Sequence, residues 1–165
     1  MKTLYMLILI VQFVLGLLYA NAGEWGMHKY ILHGLGKNRH SFWAYHWYEH
    51  HAVCAKHAML DPGYQTINLS TWNTQSKELV VLAGIVIMHV PMGWFYPIFV
   101  SAVYVSLALY YYKHRKAHLD PVWARTHLRW HYEHHLGSNY SANWCVTWPW
   151  CDYLLGTRVK NTTVE

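Results

Sequence analysis

Histidine is the residue type whose number and spacing could carry chemistry in this chain. The 165 residues include 14 histidines, most of them in the segments HKYILH, HWYEHH, HRKAH and HYEHH. The histidines of these four segments are His28, His33, His46, His50, His51, His114, His118, His131, His134 and His135. Because imidazole nitrogens bind transition metals, the four segments together predict a metal site.

The spacing inside each segment indicates how the side chains could converge. Residues three or four apart share one face of an α-helix, so His114 and His118 should point the same way. Adjacent histidines such as His50 and His51 diverge by about 100° on a helix, so each pair could serve two neighbouring ions. About ten candidate imidazoles exceed the four ligands of one structural zinc ion, and we therefore expect two ions.

A short internal repeat supports one shared centre. The sequence YEHH occurs at 48–51 and again at 132–135, on either side of the longest apolar stretch. Further groups near the segments could act as additional ligands or fix imidazole tautomers. These groups are His57, His127, Glu24, Glu49, Asp120, Glu133, Asn143 and Asp152. For the two extra histidines an ordinary surface role is the alternative, and for Glu49 and Glu133 it is an ion pair with Lys or Arg.

Two apolar stretches predict an integral membrane protein. Residues 4–20 contain Gln12 as their only strongly polar side chain and approach the ~20 residues that cross a hydrocarbon core. A signal peptide cleaved near Ala22 is the alternative, but residues 24–33 continue a helical pattern without a breaker. We therefore favour one long helix that leaves the bilayer.

The second apolar stretch, residues 79–112, carries no formal charge and predicts a membrane hairpin. Pro91, Gly93 and Pro97 interrupt it near its middle. Both ends of the hairpin should emerge on one side of the membrane. His89 is the one histidine placed at membrane depth, where we expect it to satisfy a helix carbonyl.

Charge orients this arrangement and excludes a nucleic-acid partner. Lys2 would lie alone on one face, whereas most other cationic side chains lie on the face of the histidine segments, which should therefore be cytosolic. The net charge of +5 forms no basic run of the kind nucleic acids need. The three cysteines form no CxxC pair, so we interpret them as small buried side chains.

These features predict one all-α domain over residues 1–165. We expect an integral membrane helical bundle, made of one long N-terminal helix and a membrane hairpin, with a cytosolic cap of histidine-rich helices.

The ordered histidine segments, with the tail NWCVTWPWCDYLLGT, resemble the fatty acid hydroxylase and sterol desaturase superfamily and are similar to bacterial beta-carotene hydroxylases. The resemblance implies a membrane oxidoreductase with two iron ions, which zinc can replace in a purified sample, and O2 as co-substrate. It implies a fatty acyl, sterol or carotenoid substrate that is hydroxylated or desaturated. Electrons would come from a separate donor such as a cytochrome b5-like protein or a ferredoxin.

The chain departs from the family's HxxHH pattern at Trp47, since the first histidine stands one residue earlier, at His46. On an ideal helix His46 lies about 140° from His51 and could join only the ion served by His50, unless the helix distorts. Three other interpretations stay open: a membrane cytochrome with two histidines on a haem, a non-catalytic metal-binding protein, and a family member whose site is a structural metal clamp.

Overall fold

The computed structural model describes residues 1–160, and these fold entirely into helices and connecting turns. Helix α1 (Lys2–Gly26) continues without a break into a π-helix (Met27–Gly34) and a 3-10 turn (Leu35–Lys37). A second π-helix (His46–His50) leads into α2 (His51–Lys56). After a 3-10 turn (Pro62–Tyr64) follow α3 (Thr74–Gly93), α4 (Pro97–Leu119), α5 (Pro121–His127), α6 (Arg129–Leu136) and α7 (Trp150–Leu154). The all-α prediction is confirmed for the described residues.

Local sequence signals set the ends of several helices. Asn73 begins α3, where its side chain accepts a hydrogen bond from the Ser76 N–H. Asp120 caps α5 in the same way through the Trp123 N–H, and Pro121 occupies the first turn of that helix. Asp120 therefore has a helix-capping role and does not contact the histidines through this bond.

Helices α3 and α4 form the expected hairpin. The chain turns at residues 94–96, and the Tyr104 hydroxyl donates to the Val86 carbonyl across the two arms. Pro97 starts α4, whereas Pro91 lies inside α3 and leaves the Ile87 carbonyl without its usual helical donor. The turn follows three residues after Pro91, so this proline does not itself end the helix.

Two helical segments, Lys2–Lys37 and Thr74–Gly93, are long and apolar enough to cross a membrane. Their most apolar stretches are only 6% and 17% buried, which is unlike the core helix of a water-soluble protein. The predicted second arm, α4, is less apolar, because its later turns carry Tyr110 to Tyr112 and the charged HRKAH segment. The support for membrane crossing is therefore the length and composition of two helices.

Helix α1 packs closely along α4 at Gly16. A Cβ atom added there would lie 2.5 Å from the Phe99 carbonyl oxygen and 2.8 Å from the Ala102 Cβ. Because the first of these atoms belongs to the backbone, a side chain at this position would force the two helices apart.

Gly16→Ala is expected to destabilise the protein by about 1–3 kcal/mol through overpacking. The matched control is Gly84→Ala in α3, where an added Cβ would meet nothing within 4 Å. Since alanine favours helix over glycine, the control should be neutral or stabilising by up to ~1 kcal/mol. Thermal unfolding in detergent would compare the two, and equal unfolding temperatures would contradict the close α1–α4 contact.

The end of α1 is tied to the loop before α7. The buried Asn21 side chain donates to the Trp148 carbonyl at 2.8 Å and accepts from the Cys151 N–H at 3.1 Å. Glu24 accepts hydrogen bonds from the Val146 and Thr147 N–H groups. These bonds fix the C-terminal loop against the turn of α1 that immediately precedes His28.

Candidate metal centre

Ten buried histidines meet at one end of the helices and form two adjoining clusters. Cluster A consists of His28, His33, His46, His51 and His134. Cluster B consists of His50, His114, His118 and His135. Within each cluster, one ligand atom per residue lies within 4.8 Å of all the others, so either cluster could hold a metal ion. His131 adjoins cluster B, with its Nε2 atom 3.2 Å from that of His118.

The two clusters share a boundary made by adjacent histidines. The rings of His51 and His135 stack with centroids 4.4 Å apart, although they belong to different clusters. As expected, the two members of each HH pair serve different clusters. The order is reversed between the repeats, however, because the second histidine of the first YEHH segment joins cluster A and the second histidine of the other joins cluster B.

The π-helices explain how histidines five residues apart come to share a face. His28 and His33 lie in the first π-helix, and His46 opens the second, five residues before His51. An α-helix would turn such pairs about 140° apart, whereas the wider π-turn bonds residue i to i+5 and aligns them. The ring centroids of His28 and His33 lie 4.9 Å apart, and those of His46 and His51 lie 5.0 Å apart.

The structure therefore places His46 in cluster A with His51, and not with His50. On an ideal α-helix His46 could join only the ion served by His50, so this placement requires a distorted helix. The shifted histidine of the HWYEHH segment is brought into the centre because the backbone there is π-helical.

Backbone carbonyls and one carboxylate orient several imidazoles through Nδ1. The Nδ1 atom of His28 bonds the Trp144 carbonyl, that of His134 bonds the Ala142 carbonyl at 2.7 Å, and that of His118 bonds the Met59 carbonyl at 3.0 Å. The His114 Nδ1 atom lies 2.8 Å from the Glu78 carboxylate. These partners accept hydrogen bonds, so each Nδ1 carries the proton and each Nε2 of the neutral ring keeps a lone pair.

The resulting arrangement places lone pairs face to face. The Nε2 atoms of His114 and His118 lie 3.2 Å apart, and with both protons on Nδ1 no hydrogen stands between them. Two nitrogens bound at about 2.1 Å to one ion, with 90–109° between them, would lie about 3.0–3.4 Å apart. The contacts of 3.0–3.2 Å in both clusters fit this range. A shared cation would remove the repulsion, and the donor set fits a transition metal.

Unpartnered nitrogens give a second sign of fit. Among the described residues, the buried Nε2 atoms of His50 and His135 have no hydrogen-bond partner. A buried polar atom without a partner costs free energy, which a bound metal would recover.

Burial keeps these imidazoles in their metal-binding form. Desolvation lowers the pKa of His50, His51 and His135 well below that of an exposed histidine, and neighbouring imidazoles lower it further. Burial also lowers the pKa of His134 to about 4, although its bond to the Ala142 carbonyl opposes the shift. These four rings are therefore neutral near pH 7, as coordination requires.

Sequence proximity failed to identify the acidic groups that contact the clusters. Glu78 bonds His114 and also accepts a hydrogen bond from the Tyr64 hydroxyl at 2.5 Å. Asp61 lies 3.4 Å from the Nδ1 atom of His50. The sequence offered one indication of the role of Glu78. The chain has only eight acidic residues, and Glu78 is the one that directly precedes the long apolar stretch.

Cys54 is buried next to cluster B but is not one of its four histidines. Its sulfur lies 3.4 Å from the His118 Nδ1 atom, and with His50 and Asp61 it forms a smaller group of possible ligands. Burial raises the pKa of the Cys54 thiol, which favours a protonated hydrogen-bonding role in the absence of a metal.

The two extra histidines lie outside the clusters. His57 is exposed, and His127 stacks on Trp123 with ring centroids 5.4 Å apart while its Nδ1 atom bonds Thr126. Neither is a substitute ligand in this structure.

The groups predicted to orient the imidazoles either bond other side chains or act through the loop backbone. Glu49 is half exposed and pairs with Lys77, and the buried Glu133 pairs with Arg129 and Arg158. Both glutamates therefore form ion pairs with Lys or Arg, which was the alternative to a role in orienting the histidines.

Asn143 and Asp152 support the loop that reaches cluster A. Asn143 accepts from the Arg158 guanidinium and the Val159 N–H. Asp152 accepts from the Trp144 and Cys145 N–H groups, both at 2.9 Å. Since the Trp144 carbonyl bonds His28, Asp152 positions that histidine through the loop backbone.

The ten histidines of the four sequence segments are thus brought together as two buried, adjoining clusters. The chain matches no known family model, no curated protein and no solved structure.

Proposed function

We propose that this chain is a membrane di-iron oxidoreductase that uses O2 and external electrons to hydroxylate or desaturate a C–H bond of a lipid. The observation that carries the proposal is the pair of adjoining, buried histidine clusters, in which Nε2 atoms of neighbouring imidazoles lie 3.0–3.2 Å apart. The identity of the metal rests on the resemblance of the histidine segments to the fatty acid hydroxylase and sterol desaturase superfamily.

Two ions follow from the division of the ligands. Clusters A and B use different imidazoles, and they meet at the stacked rings of His51 and His135. A histidine-only donor set suits iron, copper and zinc, so zinc can occupy the site in protein purified without added iron. A haem fits less well, because it would have to separate imidazoles whose Nε2 atoms lie 3.1 Å apart.

The protein contributes orientation, exclusion of water and a fixed proton arrangement. Bound iron would supply the reduction of O2 and the oxidation of the C–H bond. Burial of the ten imidazoles keeps bulk water from the centre. The Tyr64 hydroxyl donates to Glu78, and Glu78 holds the proton of His114 on Nδ1, so the Nε2 atom stays free for the metal.

A membrane location explains how the enzyme would meet its substrate. The outer side chains of α1, from Leu4 to Leu18, are largely exposed although they are apolar. At about 0.8 kcal/mol per buried CH2, a lipid chain of roughly sixteen carbons favours the bilayer by on the order of 12 kcal/mol. The clusters would lie at the cytosolic surface, within reach of a separate electron donor such as a cytochrome b5-like protein or a ferredoxin.

The proposal is tested by iron analysis and lipid profiling. Protein from iron-supplemented cells should contain two antiferromagnetically coupled irons per chain by Mössbauer spectroscopy. Cells that make the wild type or the exposed-histidine control His57→Ala should accumulate an oxidised lipid that is missing with His135→Ala. Metal binding without any change in lipids would favour a non-catalytic metal protein, and a Soret band would favour the haem alternative.

A further inference from the structure

An apolar cavity of about 250 Å³ begins beside cluster A and extends between α1, α3 and α4. His28 and Glu78 line the end near the histidines, and Tyr19 and His89 line the opposite end. His89 lies eleven positions after Glu78 in α3, which corresponds to about 16 Å along the helix axis. The walls between them are made mostly by apolar side chains such as Val81, Leu82 and Leu107.

The far end contains a polar pair whose hydrogen-bond direction is fixed. The His89 Nδ1 atom lies 2.8 Å from the Ile85 carbonyl, which can only accept, so Nδ1 donates. In a neutral ring Nε2 must then accept, and its partner at 3.2 Å is the Tyr19 hydroxyl. The Tyr19 hydrogen is thereby committed to His89, and the hydroxyl oxygen keeps a lone pair for another donor.

His89 is buried inside the apolar helix α3. The expectation that it satisfies a helix carbonyl is met, although the carbonyl is that of Ile85 and not the one freed by Pro91. The bond leaves Tyr19, rather than His89, as the group with spare hydrogen-bonding capacity.

We propose that the Tyr19–His89 pair selects a lipid alcohol, whose hydroxyl donates to the Tyr19 oxygen while its apolar chain runs along the cavity toward cluster A. This inference rests on the proposed function, because it treats the cavity as the substrate site. It assigns the substrate class as a lipid with an uncharged hydroxyl, oxidised at a carbon remote from that hydroxyl.

The charges that line the cavity agree with an uncharged ligand. Among the described residues that line it, the formally charged ones are Glu24 and Glu78, and neither Lys nor Arg is present. A carboxylate or phosphate would enter the apolar cavity without a counter-charge, which is unfavourable. The cavity is slightly smaller than usual small-molecule pockets, so part of a larger lipid would stay in the membrane.

The test compares a sixteen-carbon primary alcohol that carries a diazirine near its far end with the methyl ether of the same compound. The ether keeps the chain and the oxygen but loses the donor. Photolabelling of the purified full chain in detergent is mapped by mass spectrometry to peptides of α3 and α4. The wild type should be labelled roughly three- to tenfold more by the alcohol, the effect of one neutral hydrogen bond.

The double variant Tyr19→Phe/His89→Leu removes the Tyr19 oxygen and also the His89 Nε2 acceptor that the single change would free, so it should reduce this preference to about one while labelling by the ether stays at the wild-type level. Tyr5→Phe is the matched control, because Tyr5 lies on the same helix and is exposed to a similar degree, 62% against 46% for Tyr19, but does not line the cavity. It should keep the full preference. Equal labelling of the wild type by the two probes, or an unchanged preference in the double variant, would overturn the proposal.

The labelling needs neither iron nor O2, so its outcome is separable from that of the proposed function. A preference for the alcohol in a protein that oxidises no lipid would refute the oxygenase and keep the binding site. Lipid oxidation by a protein without the preference would keep the oxygenase and refute the binding site.

Discussion

His134→Ala is expected to lower the metal content from about two ions per chain to about one or fewer. The Nε2 atom of His134 lies 3.1 Å from that of His33 and 3.2 Å from that of His51, so it contacts two other members of cluster A. Its removal takes away a central ligand and leaves the Ala142 carbonyl without its donor. Elemental analysis of the purified protein measures the ratio.

His127→Ala is the control for this prediction. His127 lies seven residues earlier in the same part of the chain but is exposed and stacked on Trp123. This variant should keep the wild-type metal content. If the two variants bound metal equally well, cluster A would not be a metal site, and the face-to-face nitrogens would need another explanation.

The histidines of the candidate metal site could be predicted from the sequence, because their residue type and number identify them without knowledge of the fold. Imidazole has few structural uses that require such a density in an apolar chain, and all ten residues of the four segments are buried together. The helical hairpin was also predictable, since the breakers at Gly93 and Pro97 interrupt an uncharged stretch.

The separation of the two members of each HH pair could be predicted, but which cluster each histidine joins could not. Spacing rules for the α-helix separate residues five apart, and nothing in HKYILH or HWYEHH marks these segments as π-helical. The local backbone there depends on tertiary contacts, such as the bond from His28 to the Trp144 carbonyl, 116 residues away. Long-range constraints of this kind leave no trace in a short sequence window.

The groups that orient the imidazoles were hidden for the same reason. Three of them are backbone carbonyls, those of Met59, Ala142 and Trp144, which every residue has and no sequence pattern distinguishes. Glu49 and Glu133, which lie inside the histidine segments, pair with Lys or Arg, whereas Glu78 reaches His114 from another helix. Proximity along the chain is therefore a poor guide to which acid contacts a ligand.

Glu78→Gln should weaken metal binding by about 10–100-fold, the usual effect of removing a carboxylate that orients a ligating histidine. The amide has nearly the same shape, but it lacks the negative charge that holds the proton on the His114 Nδ1 atom at 2.8 Å. Loss of that charge lowers the electron density that His114 offers through Nε2. Competition with a chelator of known affinity measures the change.

Glu49→Gln separates this effect from a general loss of negative charge. Glu49 directly precedes His50 in sequence, yet its carboxylate is 49% exposed and pairs with Lys77. Exposed pairs of this kind contribute about 0–1 kcal/mol to stability, and this one does not contact an imidazole, so metal affinity should stay within about twofold of the wild type. A larger loss for Glu49→Gln than for Glu78→Gln would contradict the orienting role of Glu78, because proximity in sequence would then outweigh contact in the fold.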